Sequence, residues 1–434
     1  MRFAKTRSGE LLSGLVATAL VTRGIGTLPL SHDEFYTLDA VENGPLTHLW
    51  EAPLIPYYAV LWVWTGGGAL VTDEWMRLLS ALAVVGTVVL VAATARLLGG
   101  ASAAIASGLL LAINPAIQVF GHMARPYALG TLFFASATYF IVRSLSLQQS
   151  NLWWAYGLSL LVGTIIMPQG SAIAIAHLVY LWFMKAPRPA LLLWLKGVLL
   201  LVPVLVLGLV LLLLGTYQGM HEWLYHPGLL DLPRGLLWLS TADAPPIAAA
   251  GAFGGALIAL GLLTTKSRAL TFSAGAGLLV VWAVSLGPTS FWFGQSIFPF
   301  VPVLALSAGN ALSTFSPKVI AVVTVTLALV SIPAFTEVRL PRPNEPDMRR
   351  AAEIYVENSR PDQAVFVFGL DDAYGLWPAV RHYFPETPAP LLTPQPSVPF
   401  WAAEARVECE PIAQWDIGAN TQVSLCAPKV AEET

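Results

Sequence analysis

Long apolar stretches separated by short polar ones dominate the first three quarters of the chain. A helix that crosses a bilayer needs about 20 mostly apolar residues. Eleven stretches reach or approach this length, at about 11–30, 76–98, 102–120, 127–145, 153–169, 170–184, 190–214, 245–263, 269–287, 297–315 and 319–335. The pattern predicts an all-α polytopic membrane domain over residues 1–336. A turn or a kink is expected between the fifth and sixth stretches, at Met167–Gly170.

The first stretch follows a basic N-terminal segment and could be a signal peptide or a retained helix. No small-x-small cleavage site follows it, so we interpret it as a retained helix. Two outer loops, 31–75 and 216–244, are long and mix aromatic, acidic and apolar residues. Within them, Pro53–Trp64 and Tyr217–Tyr225 are too short and too aromatic to span a bilayer, and each is predicted to lie at the membrane interface.

The composition changes near residue 337, where charges and prolines appear and the apolar runs end. A helix is predicted over Met348–Asn358 and a buried strand over Ala364–Phe368. Residues 337–434 therefore form a predicted small α/β domain. The two cysteines, Cys409 and Cys426, lie in this domain and could be bridged or free.

Charge sets the predicted orientation. Only 11% of the residues are charged, against about 25% in soluble domains. With a cytoplasmic N-terminus, the inner loops receive Lys and Arg while nearly all Asp and Glu of the membrane domain fall outside. An odd number of spans then places the C-terminal domain outside the plasma membrane. The excess of arginine over lysine indicates a bacterial source, and a formal net charge of −3 gives no reason to expect a nucleic-acid partner.

Asp33 and Glu34 form the first candidate site, just after the first predicted helix. Adjacent carboxylates at a membrane surface repel each other and resist desolvation, which favours a task for them. One can act as a general base towards a hydroxyl while the other orients a sugar or a cation. A solvated acidic loop is the alternative. Glu51 could line the same cavity or cap the interfacial helix.

Arg125 is the second candidate, within the string His122-Met123-Ala124-Arg125-Pro126-Tyr127. An arginine beside a proline turn at the membrane surface is placed to bind a lipid phosphate, or else to anchor the helix end. His177 is expected to be a hydrogen-bond partner between helices. The spacing of His221, Glu222 and His226 resembles a metal site but has no further ligand, so we predict no metal site there.

The order of these motifs resembles the GT-C superfamily of integral membrane glycosyltransferases, in the branch with protein O-mannosyltransferases and lipid A aminoarabinose transferases. The most specific match is the string Ala124–Leu129, at the junction of the third and fourth spans. The acidic pair, the Tyr57-Tyr58 pair and the Arg77-Leu78 start of the second span also correspond. Two features differ: no adjacent prolines precede the tyrosines, and Gln295 stands where many relatives have Arg-Tyr.

The resemblance implies a polyprenyl-phosphate-linked sugar donor and an acceptor glycan, lipid or protein at the outer face of the plasma membrane. It implies inversion at the anomeric carbon, with Asp33 as base and Glu34 orienting a substrate. Glu51, Tyr57, His122, Arg125, Tyr127 and Gln295 are the expected substrate-binding residues. The use of a divalent cation stays open. A transporter of lipid-linked sugars and a non-catalytic accessory protein are the rival interpretations, although the predicted helix interiors contain few ionisable groups, unlike those of transporters.

Overall fold

The computed structural model describes most of the membrane domain and parts of the C-terminal domain. The described residues are 7–47, 53–147, 151–213, 227–238, 247–287, 294–337, 347–359, 364–366, 376–387, 391–393, 400–403, 411–416 and 422–426. The α-helices of the membrane domain among them are α1 (Ser8–Val21), α2 (His32–Glu42), α3 (Ile55–Trp64), α4 (Asp73–Ala112), α5 (Pro115–Gly121), α6 (Pro126–Leu147), α7 (Trp153–Ile166), α8 (Ile173–Phe183), α9 (Arg188–Leu199), α10 (Val202–Leu213), α11 (Asp231–Trp238), α12 (Ile247–Gly261), α13 (Thr265–Val284), α14 (Gly294–Ile297), α15 (Val301–Leu312) and α16 (Pro317–Glu337).

Helix α4 is a hairpin of two antiparallel arms. Its backbone leaves the helical region at Gly99 and Gly100, and Gly100 has φ 76°, a conformation that favours glycine. A Cβ atom on Gly108 would lie 3.1 Å from Cβ of Ala92, whereas residues so far apart in sequence would be more than about 20 Å apart in a straight helix. The arms correspond to the predicted spans 76–98 and 102–120. The second arm ends early, because Pro115 cannot continue it.

Helix α1 is shorter than predicted. The apolar stretch 11–30 is helical only to Val21, and Gly24 then adopts φ 77°, which directs the chain out of the helix. Residues 22–31, which we call the approach loop, carry the chain from α1 to α2. Within this loop, Ile25, Leu28 and Pro29 are half-buried and Leu30 is 1% exposed.

Five described helical stretches are long and apolar enough to cross a membrane: Asp73–Ala112, Pro126–Leu147, Arg188–Gly208, Thr265–Val284 and Gln295–Leu312. The predicted count of eleven spans is not confirmed, because several predicted spans are broken into shorter pieces. A 3₁₀ turn at Pro168–Ala172 separates α7 from α8, and a second one at Phe298–Phe300 precedes α15. The break predicted at Met167–Gly170 is therefore a turn.

Several helices present large apolar side chains outwards. Exposed residues include Leu191, Leu192, Leu195 and Leu199 on α9 and Val319, Val322, Val325 and Leu329 on α16. Inside the bundle, His177 on α8 lies 2.9 Å from the Thr138 hydroxyl and 3.2 Å from the Tyr156 hydroxyl, which confirms its predicted role between helices. Apolar outer faces and a closed interior are expected where the solvent is lipid. The chain is an integral membrane protein.

The C-terminal domain contains α17 (Met348–Asn358), α18 (Leu376–Tyr383) and strands β1 (Ala364–Phe366), β2 (Leu391–Thr393), β3 (Phe400–Ala403), β4 (Pro411–Asp416) and β5 (Gln422–Cys426). The sheet has the order β2-β1-β3-β5-β4. Strand β1 pairs in parallel with β2 and β3, while β5 pairs antiparallel with β3 and β4. The predicted helix is confirmed, and the predicted strand is present over Ala364–Phe366, while residues 367–368 lie outside the described residues. Cys426 is buried and disulfide-bonded, and Cys409 lies outside the described residues.

Candidate active site

Glu34 and Arg77 form a buried ion pair where the approach loop enters α2. Arg77, on the first turns of α4, donates from Nε to Oε1 of Glu34 at 2.8 Å and from Nη2 to Oε2 at 2.7 Å. Both side chains are only 2% exposed. Two parallel N–H···O bonds between ionised groups are among the strongest contacts in proteins. The pair therefore fixes the start of α2 to the start of α4.

The remaining N–H groups of Arg77 hold the approach loop. Nη1 donates to the carbonyl oxygens of Ile25 at 3.1 Å and Leu28 at 2.8 Å. Nη2 also donates to that of Pro29 at 2.8 Å. A guanidinium has five N–H groups, and all are used. The sequence had indicated Arg77 only as the start of a span, and its contacts show that it organises the loop before Asp33.

The carboxylate of Glu34 has little capacity left for substrate. Besides Arg77, it accepts the backbone amides of Ala124 at 2.8 Å and Ser31 at 3.0 Å. Burial alone would raise its pKa, but Arg77 and the two amides outweigh burial and lower the pKa to about 2. Glu34 is therefore ionised at neutral pH, and it joins the approach loop to the segment carrying Arg125.

Asp33 is in the opposite situation. Its side chain is 44% exposed, and its Oδ2 lies 3.7 Å from Nη2 of Arg125. Neighbouring residues on a helix point about 100° apart, so α2 directs Glu34 into the protein and Asp33 towards open space. Of the two predicted acids, Asp33 is the one that a substrate can reach.

Arg125 brings the predicted motifs together. Its Nη1 donates to the carbonyl oxygen of Asp33 at 3.1 Å, to the Thr37 hydroxyl at 3.3 Å and to the Tyr58 hydroxyl at 3.2 Å. These contacts join the α5–α6 junction to α2 and α3. Thr37 and Tyr58 were not predicted as site residues. Thr37 could have been found by its spacing, since it lies one turn after Asp33 on α2.

Three further predicted residues, Tyr57, His122 and Tyr127, are next to Tyr58 or close to Arg125 in the sequence. Tyr57 is fully buried, with its ring centroid 6.2 Å from that of Tyr58. Burial raises the pKa of its hydroxyl, and the positive charge of Arg125 opposes this rise. His122 and Tyr127 are buried on either side of Arg125 in the sequence.

Phe120 connects the late helices to the cluster. Its ring centroid lies 5.5 Å from that of Tyr127 and 4.2 Å from that of Phe298, which follows Gln295 and α14. Gln295 is half-buried. Glu51 lies outside the described residues, as do His221, Glu222 and His226. Across the part of the chain that the structure describes, no group of three His, Cys, Asp or Glu side chains could hold a metal ion.

Comparison with known proteins places this arrangement in a fold family. The dolichyl-phosphate-mannose-protein mannosyltransferase family matches residues 55–214, which include Arg125 but not Asp33. The crystal structure of apo ArnT from Cupriavidus metallidurans superposes with a TM-score of 0.63 at 14% identity, covering 96% of this chain and 99% of that one.

The chain has the GT-C fold. ArnT from the same organism bound to undecaprenyl phosphate also matches the chain, with a TM-score of 0.57 at 14% identity and coverage of 96% and 99%. No curated protein matches the sequence. The resemblance to GT-C membrane glycosyltransferases in the O-mannosyltransferase branch is confirmed. The match to apo ArnT covers 96% of the chain, whereas the sequence motifs end near residue 335.

Proposed function

We propose that this chain is a glycosyltransferase that moves a sugar from a polyprenyl-phosphate donor to a hydroxyl group of a cell-envelope glycan, lipid or protein. The transfer takes place at the outer face of the plasma membrane. The observation that carries the proposal is the difference in burial and hydrogen bonding between two adjacent acids. Glu34 is buried and saturated, whereas Asp33 is 44% exposed beside the buried cation of Arg125. The GT-C fold and the undecaprenyl phosphate bound to ArnT support a lipid-linked donor.

The reaction is an inverting displacement in which Asp33 is the general base. One carboxylate oxygen of Asp33 takes the proton of the acceptor hydroxyl, which needs a base within hydrogen-bond reach at neutral pH. The acceptor oxygen then bonds to the anomeric carbon from the face opposite the phosphate. The bond from that carbon to the phosphate oxygen breaks, and polyprenyl phosphate leaves with the electron pair.

Arg125 supplies the positive charge of the site. Its guanidinium is buried, so its interaction with a phosphate is weakly screened. A cation directed at the leaving phosphate stabilises the charge that develops as the bond breaks. Tyr57, His122, Tyr127 and Gln295 are the residues we expect to bind the donor. Glu34 maintains the positions of Asp33 and Arg125 through its contacts with Ser31 and Ala124.

Sugar transfer by the purified protein tests the proposal. The protein is incubated with synthetic polyprenyl-phosphate sugars and an envelope fraction from a strain lacking it. Mass spectrometry then measures the glycosylated product and the released polyprenyl phosphate. We expect both in equal amounts, and the deletion strain should lack one sugar on an envelope component. Movement of the donor across a vesicle membrane without cleavage would indicate a transporter. If the donor is neither cleaved nor moved, the protein would be an accessory protein.

Replacing Arg125 with alanine should reduce turnover of the donor about ten-fold or more, because a hydrogen bond to a charged group contributes roughly 1.5–3 kcal/mol. Initial rates measured over a range of donor concentrations would show the loss. Arg143→Ala is a matched control on α6, since Arg143 donates a hydrogen bond to the Tyr139 hydroxyl one turn away and lies over the ring of the same residue. Unchanged donor dependence in Arg125→Ala would leave Arg125 as a helix anchor.

A further inference from the structure

Asp73, the first residue of α4, receives three side chains of the C-terminal domain. Arg349 of α17 donates to Oδ2 at 2.8 Å, the Tyr383 hydroxyl donates to the same oxygen at 3.3 Å, and Nε2 of His382 lies 2.7 Å from Oδ1. The side chain of Asp73 is 5% exposed. We call these four residues the interdomain latch.

Two residues of the latch also bind the approach loop. Nη2 and Nη1 of Arg349 donate to the carbonyl oxygens of Gly26 at 3.3 Å and Thr27 at 3.4 Å. The Tyr383 hydroxyl accepts the amide of Leu30 at 2.8 Å. Its ring meets Phe35 edge to face, with 6.5 Å between the centroids.

The loop is therefore held from two domains. Arg77 of the membrane domain binds the carbonyls of Ile25, Leu28 and Pro29, and Arg349 of the C-terminal domain binds those between them. Leu30 is buried, and a buried backbone amide that loses its hydrogen-bond partner costs free energy. A loop bound by Arg77 alone would leave the carbonyls of Gly26 and Thr27 and the amide of Leu30 without these bonds.

The Arg349 guanidinium lies 4.8 Å from the centroid of the Tyr383 ring, which keeps the two residues together as one unit. The segment they hold ends at Leu30, three residues before the proposed base. Tyr383 also touches Phe35, two residues after it. The contacts of the C-terminal domain thus lie on both sides of Asp33 in the chain.

We propose that Arg349 and Tyr383 are positioning residues for Asp33, so that the C-terminal domain completes the active site by fixing the approach loop. This inference rests on the proposed transferase function. A general base must be held within a few tenths of an ångström of its target, and a displacement of about 1 Å can cost about 100-fold in rate. Neither side chain contacts the carboxylate of Asp33, and both act through the loop that carries it.

The test uses the full chain with Tyr383→Phe, Arg349→Ala and Arg349→Lys. Tyr383→Phe keeps the ring against Phe35 and removes the hydroxyl that joins Leu30 to Asp73. We expect kcat to fall about ten-fold in Tyr383→Phe and Arg349→Ala, with the donor KM unchanged, and Arg349→Lys to recover part of the loss because it restores the charge beside Asp73. Arg350→Ala is the control, since Arg350 lies next in the chain and pairs with Glu353 on its own helix.

Hydrogen exchange gives a second measurement that does not depend on activity. The amide of Leu30 should exchange faster in Tyr383→Phe, at unchanged thermal stability of the membrane domain, and not in Arg350→Ala. Unchanged kcat per folded molecule in both variants would make the latch a docking contact only and overturn the proposal. If the wild-type protein transfers no sugar, the proposed function fails. Exchange at Leu30 then decides separately whether the C-terminal domain fixes the loop, and unchanged exchange would overturn that part as well.

Discussion

Asp33→Asn is expected to lower sugar transfer by about 100-fold or more, because general-base catalysis contributes that much to typical reactions. Asparagine keeps the size of the side chain and removes its basicity. The contact of Arg125 with the backbone carbonyl of residue 33 does not depend on the carboxylate. Expression and donor binding should therefore remain, and the loss should appear in kcat when product is measured under saturating donor.

Asp39→Asn is the matched control for this variant. Asp39 lies on the same helix, and its carboxylate accepts a hydrogen bond from the Asn43 side chain at 2.7 Å. Transfer by Asp39→Asn should stay near the wild-type rate. Wild-type activity in Asp33→Asn would remove Asp33 from the mechanism. If Glu34→Gln and Glu51→Gln were also fully active, the transferase proposal would lose its chemical basis.

The most informative parts of the sequence were short motifs of polar and aromatic residues. The acidic pair, the Tyr57-Tyr58 pair and Arg125 lie on separate segments, and the structure brings them into one cluster. The acidic pair was recognisable from the sequence because adjacent carboxylates at a membrane surface repel each other and resist desolvation. The C-terminal helix Met348–Asn358 was predictable for a different reason, since its apolar residues recur with helical spacing beside an N-cap aspartate, Asp347.

The roles of the two acids could not be separated from the sequence. Asp33 and Glu34 differ in burial because α2 begins at His32, which sets the direction of each side chain. Moving the start of this helix by one residue would rotate both side chains by about 100°. The start is capped locally by Glu34, whose carboxylate accepts the Ser31 amide, and the same carboxylate is held by Arg77, which is 43 residues away in the chain.

The interdomain latch was also beyond sequence reasoning. Asp73 pairs with Arg349 and His382, which are 276 and 309 residues away. Each is a common charged or polar residue in a segment whose pattern indicates only a surface position. Apolar periodicity predicts which face of a helix is buried, but it carries no information about which polar side chains from distant segments pair with each other. The early end of α1 has a similar cause, because the loop that follows it is held by Arg77 and Arg349, which are distant in the chain.

The buried pair of Glu34 and Arg77 should dominate the stability of the site. Glu34→Gln leaves the Arg77 cation in a position that is 2% exposed without its counter-charge. Removing one partner of a buried pair typically destabilises a protein by about 3–5 kcal/mol. We expect a loss of this size in the free energy of unfolding in mixed micelles. Glu353→Gln, at an exposed pair with Arg350, is the control and should cost less than about 1 kcal/mol.

Acid should weaken the same pair in the wild-type protein. The pKa of Glu34 is lowered to about 2 in the folded chain, from an ordinary value of 4.5, so the folded state binds fewer protons than the unfolded one between these values. The contribution of Glu34 to stability is therefore fully present above the ordinary pKa and is lost as the pH falls from there towards 2. Glu34→Gln should lack this dependence, and Glu34→Gln combined with Arg77→Leu should recover stability relative to Glu34→Gln alone, because no unpaired cation remains. An equal acid response in wild type and Glu34→Gln would show that another group carries the effect. A combined variant less stable than Glu34→Gln would show instead that the carbonyls of the approach loop depend on Arg77 more than the ion pair does.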